Sequence, residues 1–426
     1  SAARYLSEYK EKDPSQLTHV LRTTTIFICI TISITVIGLV IGHRWLADLI
    51  GEPELAPLLL VGALYMIVMT VVAYLRKVFQ GFERIEYAAA IDAVDPLSRC
   101  VFALGFVLFG FGALGALWGY VVGLFLTSVL GIVLFYVYVY PREGANRSAE
   151  AEPGLRRRIV EYSIPLTATS TASRLDKEID TILVGFFLNP VAVSYYVIGK
   201  QAVKFIEAPV SALGFTISPT FGAQKAAGDI GQASRIYETA LVHSLLLYIP
   251  AAAGLVLVAE PLIALVFGPD YLGAVPVLQV LGLYAVVLAI TMITSNGLDF
   301  LGRARERAIV RGITSVLNVG LNVVLIPTIG VVGAAIATVI TYAIYTLAVV
   351  YIATWEFDLR MGTILRELLT IVGVTAVMAG VVFVLLEYVQ GWLTLFGVVG
   401  VGVLVWGVLS VLTGLLDLED VRAVAE

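Results

Sequence analysis

The sequence predicts an all-α polytopic membrane protein, crossing a bilayer about twelve times. Three observations carry that prediction. Of its 426 residues, 59% are hydrophobic and only 14% charged, against about 45–50% and 25% in soluble domains. Apolar runs long enough for roughly 30 Å of hydrocarbon recur from one end to the other. The 39 glycines suit membrane helices, which approach closely through small residues. A transmembrane barrel would instead show segments of about ten alternating residues.

Taken in order, the spans lie near 22–42, 55–75, 89–110, 114–139, 159–187, 191–218, 237–258, 275–298, 309–327, 331–354, 363–386 and 392–415. Basic residues orient them. Segments 1–22, 76–87, 141–158, 222–235, 301–311, 355–366 and the C-terminal tail hold 21 of the 27 Lys and Arg, and the opposite loops hold one, Arg44. These segments and both chain ends are therefore expected on the cytoplasmic side of the cell membrane. Gly115, Gly119 and Gly123 repeat at four-residue spacing and read as close helix packing. Cys29 and Cys100 lie in apolar spans and suggest no disulfide framework. His19 reads as solvated in a basic segment, and His43 and His243 have no obvious metal-ligand partners in the sequence, so neither metal nor cofactor is expected.

The two halves repeat each other. "LADLIGEPELAPLLLVGALY" from Leu46 parallels "IALVFGPDYLGAVPVLQVLGLY" from Ile263, "GFER" from Gly81 parallels "GRAR" from Gly302, and "GFGALGALWGY" from Gly110 parallels "TIGVVGAAIAT" from Thr328. The pairs Gly51/Gly268, Gly81/Gly302 and Gly112/Gly330 give offsets of 217, 221 and 218. Two related bundles are a common transporter architecture. "DPSQL" from Asp13 aligns with "DIGQA" from Asp229, which sets Ser1 against about residue 217. The first bundle is thus expected to lack its opening helix pair, roughly 60 residues, with fourteen helices in the full-length protein. The expected organisation is a four-helix N-terminal bundle over 1–140, a polar linker over 141–158, a six-helix bundle over 159–354, and two appended helices with a tail over 355–426. Asn146-Arg147-Ser148 in the linker matches a glycosylation acceptor, read as chance on the cytoplasmic side.

Charge inside the spans points to function. Each ionised group at mid-bilayer costs roughly 2.5–3.5 kcal/mol even on the lenient insertion scale, so such groups must pair or line a wet cavity. Lys200, Lys204 and Glu207 share a helix face, as do Asp92, Asp95 and Arg99. In "TASRLDKEIDTILVGFF" (171–187), Leu175, Ile179, Ile182 and Phe186 form one apolar stripe. Arg174, Lys177 and Glu178 sit opposite it, and Asp176 and Asp180 flank it. The pairs Asp95/Arg99 and Arg174/Glu178, both i,i+4, are open to a plain salt-bridge reading. Lys200 and Lys204, one turn apart, repel, and Glu207 satisfies only one of them; an anionic ligand would relieve the other. No Gly-x4-Gly-Lys-Ser/Thr phosphate loop, Cys/His cluster or Gly-x-Ser-x-Gly elbow is present, so no enzymatic activity is expected.

"LVFGPDYLGAVPVLQVLGL" (265–283), "LGRARERAIVRGITSVLNVGLNVVLIPTIGVVGAAIAT" (301–338) and "RLDKEIDTILVGFFLNPVAVSYY" (174–196) resemble the oligosaccharide-lipid flippases of the multidrug/oligosaccharidyl-lipid/polysaccharide (MOP) exporter superfamily. "SAARYLSEYKEKD" resembles the loop after that family's second helix. The resemblance implies a MATE-like fold: two six-helix lobes in a V around a central cavity, working by alternating access. The implied substrate is an oligosaccharide on a polyprenyl phosphate or pyrophosphate, moved outward for polysaccharide or glycoprotein biosynthesis. Arg174, Lys177, Lys200 and Lys204, with Arg99 from the other lobe, would hold the phosphate. Asp176, Asp180, Glu207, Asp92 and Asp95 are candidates for ion coupling. Partners are then lipid-linked oligosaccharide and membrane lipid, with no nucleic acid, and the protein a monomer. The alternative is an H⁺- or Na⁺-coupled exporter of organic cations from the same superfamily, which the embedded basic residues oppose.

Overall fold

The computed structural model describes residues 2–140, 150–227, 229–357 and 359–416. Part of the linker, with its glycosylation pattern, and the end of the C-terminal tail lie outside them. The described residues form thirteen α-helices. They are α1 Ala2–Lys12, α2 Leu17–Ile50, α3 Leu55–Gly81, α4 Ile85–Leu108, α5 Gly112–Leu134 and α6 Leu155–Phe187. Then follow α7 Pro190–Ala226, α8 Ile230–Val266, α9 Val275–Phe300, α10 Ala304–Ile329, α11 Val331–Ala353, α12 Met361–Leu385 and α13 Trp392–Leu412. Every predicted span has its helix, from α2 to α13.

Nine of these helices are long and apolar enough to cross a membrane by length and composition, among the described residues. The exceptions among α2–α13 are α4, α6 and α7. Those three carry the embedded charges, whose cost breaks the apolar window.

The chain divides into two compact units, Ser1–Arg174 and Leu175–Glu426. The division falls inside α6, not at the linker, because a continuous helix carries the chain from one core to the other. In the first unit the core gathers Leu6, Tyr9, Phe79, Ile91, Leu124, Leu155 and Ile159. Within it α4 and α5 pack with almost no gap: a Cβ on Gly119 would lie 2.4 Å from the Ala103 backbone, and one on Gly123 would lie 2.7 Å from Arg99 N. The glycine repeat is therefore a packing face.

Segment 1–22, expected as a loop, holds a helix. Ala2, Tyr5, Leu6 and Tyr9 recur with helical period and bury one side of α1 against α3. Tyr9 Oη donates to Glu152 Oε2 at 2.6 Å, and Arg158 Nη2 reaches Glu152 Oε1 at 2.6 Å. Lys10 bonds the Phe82 carbonyl and Glu83, both at 3.0 Å. The helix thus ties the α3–α4 turn to the start of α6.

The repeat is visible in the turns. Left-handed residues stand at Gly51 and Gly268, Glu83 and Gly302, and Gly112 and Gly330. The middle pair shifts the sequence alignment by two residues, giving an offset of 219. The sequence alone does not locate it, because Glu83, a non-glycine at φ 59, carries no compositional sign of a left-handed turn.

Candidate functional site in the second unit

Five helices of the second unit, α6, α7, α9, α10 and α11, enclose a cavity of about 360 Å³. Its acids are Asp176, Glu178 and Asp180 from α6 and Glu207 from α7; its bases are Lys177, Lys200, Lys204 and Arg311. Tyr196, Tyr284 and Tyr342 complete the polar wall. Leu281 of the cavity lining belongs to an apolar core with Val184, Val277 and Ile326.

Alternate residues of one α6 turn reach different helices. Asp176 Oδ2 accepts from Arg311 Nη2 of α10 at 2.8 Å. Glu178 Oε2 accepts from Lys200 Nζ of α7 at 2.8 Å. Asp180, buried, accepts from Tyr196 Oη at 3.0 Å, Asn322 Nδ2 at 2.6 Å and Thr338 Oγ1 at 2.9 Å. Two acids therefore meet cations, and the third is held by neutral donors alone. Such donors remove the cost of an unmet buried acceptor.

Lys200 also donates to the Lys177 carbonyl at 2.9 Å and to Thr181 Oγ1 at 3.1 Å. Arg311 donates to Tyr342 Oη at 2.9 Å and lies over that ring, 4.5 Å from its centroid. Lys204 and Lys177 are exposed and make no ion pair among the described residues, nor does Glu207. Of the expected pairings, Glu178 takes Lys200 instead of Arg174. The reason is reach: α7 packs Lys200 across from it, while Arg174 stays exposed on its own helix. Glu207 pairs with neither lysine among the described residues.

Arg99, Asp92 and Asp95 occupy a separate cluster in the first unit. Arg76 Nε lies 2.8 Å from Asp92 Oδ1, and its Nη2 lies 2.6 Å from Asp95 Oδ2. Arg99 Nε lies 2.7 Å from Asp95 Oδ1, so the i,i+4 bridge forms and a second arginine joins it. Arg99 also lies over Tyr120, at 5.7 Å. These charges answer one another.

Two arginines, Arg76 and Arg311, fall in segments expected as cytoplasmic loops, yet each sits inside a helix and bonds an acid. For Arg311 a signal existed: Ser315, Asn318 and Asn322 follow at helical spacing, a polar face running into a span. No group of three or more His, Cys, Asp or Glu side chains placed to hold a metal ion occurs among the described residues.

A family model described as polysaccharide biosynthesis protein matches residues 1–223, just over half of the chain, and one described as MatE matches 165–324. The chain belongs to the polysaccharide biosynthesis protein family. Relatives of this chain include the probable low-salt glycan biosynthesis flippase Agl15 of Haloferax volcanii, 27% identical over 45% of this chain and 40% of that protein. The probable flippase AglR of the same organism is 30% identical over 40% of this chain and 37% of its own. The uncharacterized membrane protein MJ1068 of Methanocaldococcus jannaschii is 26% identical over 66% and 56%. The chain thus spans only about half, or less, of these relatives.

Among solved structures, the lipid II flippase MurJ in an inward closed conformation superposes with a TM-score of 0.77 at 16% identity, over 97% of this chain and 87% of MurJ. An inward-facing MATE multidrug transporter gives 0.69 at 15%, over 86% of each chain. At such identities the likeness shows the fold. The family member is a multi-pass membrane protein with a MATE-like fold.

Proposed function

We propose that the protein moves lipid-linked oligosaccharide, on a polyprenyl phosphate or pyrophosphate, across the cytoplasmic membrane by alternating access. The observation that carries this reading is the cavity of the second unit, where four cations converge on a polar wall at the depth of apolar helices. Two of them, Lys177 and Lys204, have no ion-pair partner among the described residues. A phosphate would supply what they lack, because charge-assisted hydrogen bonds to phosphate are among the strong ones. The relatives named as glycan flippases support the sugar-lipid cargo. In this reading the basic loops and both chain ends face the cytoplasm, and the protein acts as a monomer.

The test is flipping of a fluorescent lipid-linked oligosaccharide in proteoliposomes. Reversing both open charges, Lys177→Glu with Lys204→Glu, should slow it by about tenfold or more. An unchanged rate would defeat the proposal. So would export of an organic cation such as ethidium by the same vesicles, since the cavity's acids would then be its binding groups.

A further inference from the structure

The hydrogen-bond donors of the cavity divide its cations into two kinds. An ammonium has three N–H bonds and a guanidinium five. Lys200 has three acceptors within 3.1 Å: the Lys177 carbonyl, Glu178 Oε2 and Thr181 Oγ1. Its whole donor capacity is occupied, and one of those acceptors cancels its charge. Any phosphate reaching Lys200 must first break bonds that fasten α6 to α7.

Arg311 is different. Both of its acceptors, Asp176 Oδ2 and Tyr342 Oη, bond the same nitrogen, Nη2. Nε and the two N–H bonds of Nη1 meet no acceptor among the described residues. The group is nevertheless held in place, by Asp176 and by the Tyr342 ring beneath it. Its side chain is 31% exposed and lines the cavity. Lys204 lines the same cavity from α7 and is exposed, with no ion pair among the described residues. A guanidinium fixed on one side with N–H bonds unanswered on the other is built to receive an oxyanion.

We infer that Arg311 and Lys204 grip the phosphate oxygens of the substrate, while Lys200 is a positioning residue that holds α6 against α7. This rests on the cavity being an anion site, as proposed above. Asp176 then has a definite part: it orients Arg311 without using the N–H bonds that the ligand needs. The division of labour runs against the sequence alone, in which Lys200 and Lys204 look equivalent.

The test is calorimetric titration of the purified full chain in detergent with inorganic pyrophosphate, beside thermal melting of each variant. Arg311→Gln and Lys204→Gln should each weaken binding by about tenfold or more, the loss expected for one charged hydrogen bond. Arg311→Gln combined with Asp176→Asn leaves no orphaned carboxylate and should weaken binding as much, separating anion loss from structural damage. Lys200→Gln should melt several degrees lower yet bind within about threefold of the parent. Full affinity in Arg311→Gln, or lost affinity with unchanged melting in Lys200→Gln, would overturn the inference and leave the anion site standing. No pyrophosphate binding by the parent protein would overturn both.

Discussion

Asp180 is the most enclosed acid of the cavity, and its partners come from α7, α10 and α11. It acts as a knot joining three helices to α6. Asp180→Leu would leave one Asn322 Nδ2 hydrogen without its acceptor and throw the Tyr196 and Thr338 hydroxyls back on their second partners, Thr338 Oγ1 and the Ala334 carbonyl. We expect a loss of about 1–3 kcal/mol, read from thermal melting in detergent; Asp180→Asn, which keeps one acceptor oxygen, should lose less. If Asp180→Leu melted like the parent, the knot would not be structural. The crowding of acids at 176, 178 and 180 was legible in the sequence, as was the need for partners. Which partner each would take was not. Arg311 stands 135 positions from Asp176, and helical periodicity says nothing about contacts between distant helices.

At the scale of elements, the contact of α4 with α5 is set by absent side chains. Gly119→Val should destabilise by about 2 kcal/mol, because the added atoms meet Ala103 backbone and not a movable side chain. Gly105→Ala, where nothing lies within 4 Å of the new Cβ, should be nearly neutral. Equal melting of the two variants would remove glycine packing as the reason for the contact. The docking of α1 offers a prediction in pH. The Tyr9 hydroxyl, and then Arg158, hold the Glu152 carboxyl below its ordinary 4.5. The Tyr9 hydroxyl is itself pushed up to about 12, first by burial and then by that bond. A depressed carboxyl contributes fully above the unfolded value and is lost as pH falls through the folded one. The protection factors of the amides in residues 2–12, taken against the intrinsic exchange rate at each pH, should therefore fall below about pH 4 and stay constant from there to neutrality; lowered protection in Glu152→Gln at neutral pH would support the same pin. This helix was written in the sequence as a period of apolar residues, but its charges and short length hid it among loops.

For the whole molecule, the proposed cargo predicts a response to voltage. An inside-negative potential favours outward movement of an anion by about 2.3 kcal/mol per charge per 100 mV. Flipping in vesicles clamped by a potassium gradient and valinomycin should quicken when the cytoplasmic side is negative and slow when the sign is reversed. A voltage-independent rate would mean that no net charge crosses with the sugar. The architecture itself was largely legible. Hydropathy located every helix from α2 to α13, because a lipid environment forces each polar backbone group into the helix and leaves the side chains to report the solvent. The duplication was legible as well, since glycines at the turns repeat at nearly constant offset, although the left-handed Glu83 had to be seen in place. Composition, the twelve long helices and the presence of ionic groups within them were thus determined by the sequence by itself. The tertiary structure alone decided which charges are answered and which stay open. That depends on helix rotation and on bonds of a few ångströms between residues more than a hundred positions apart, quantities that no local pattern of residue types contains.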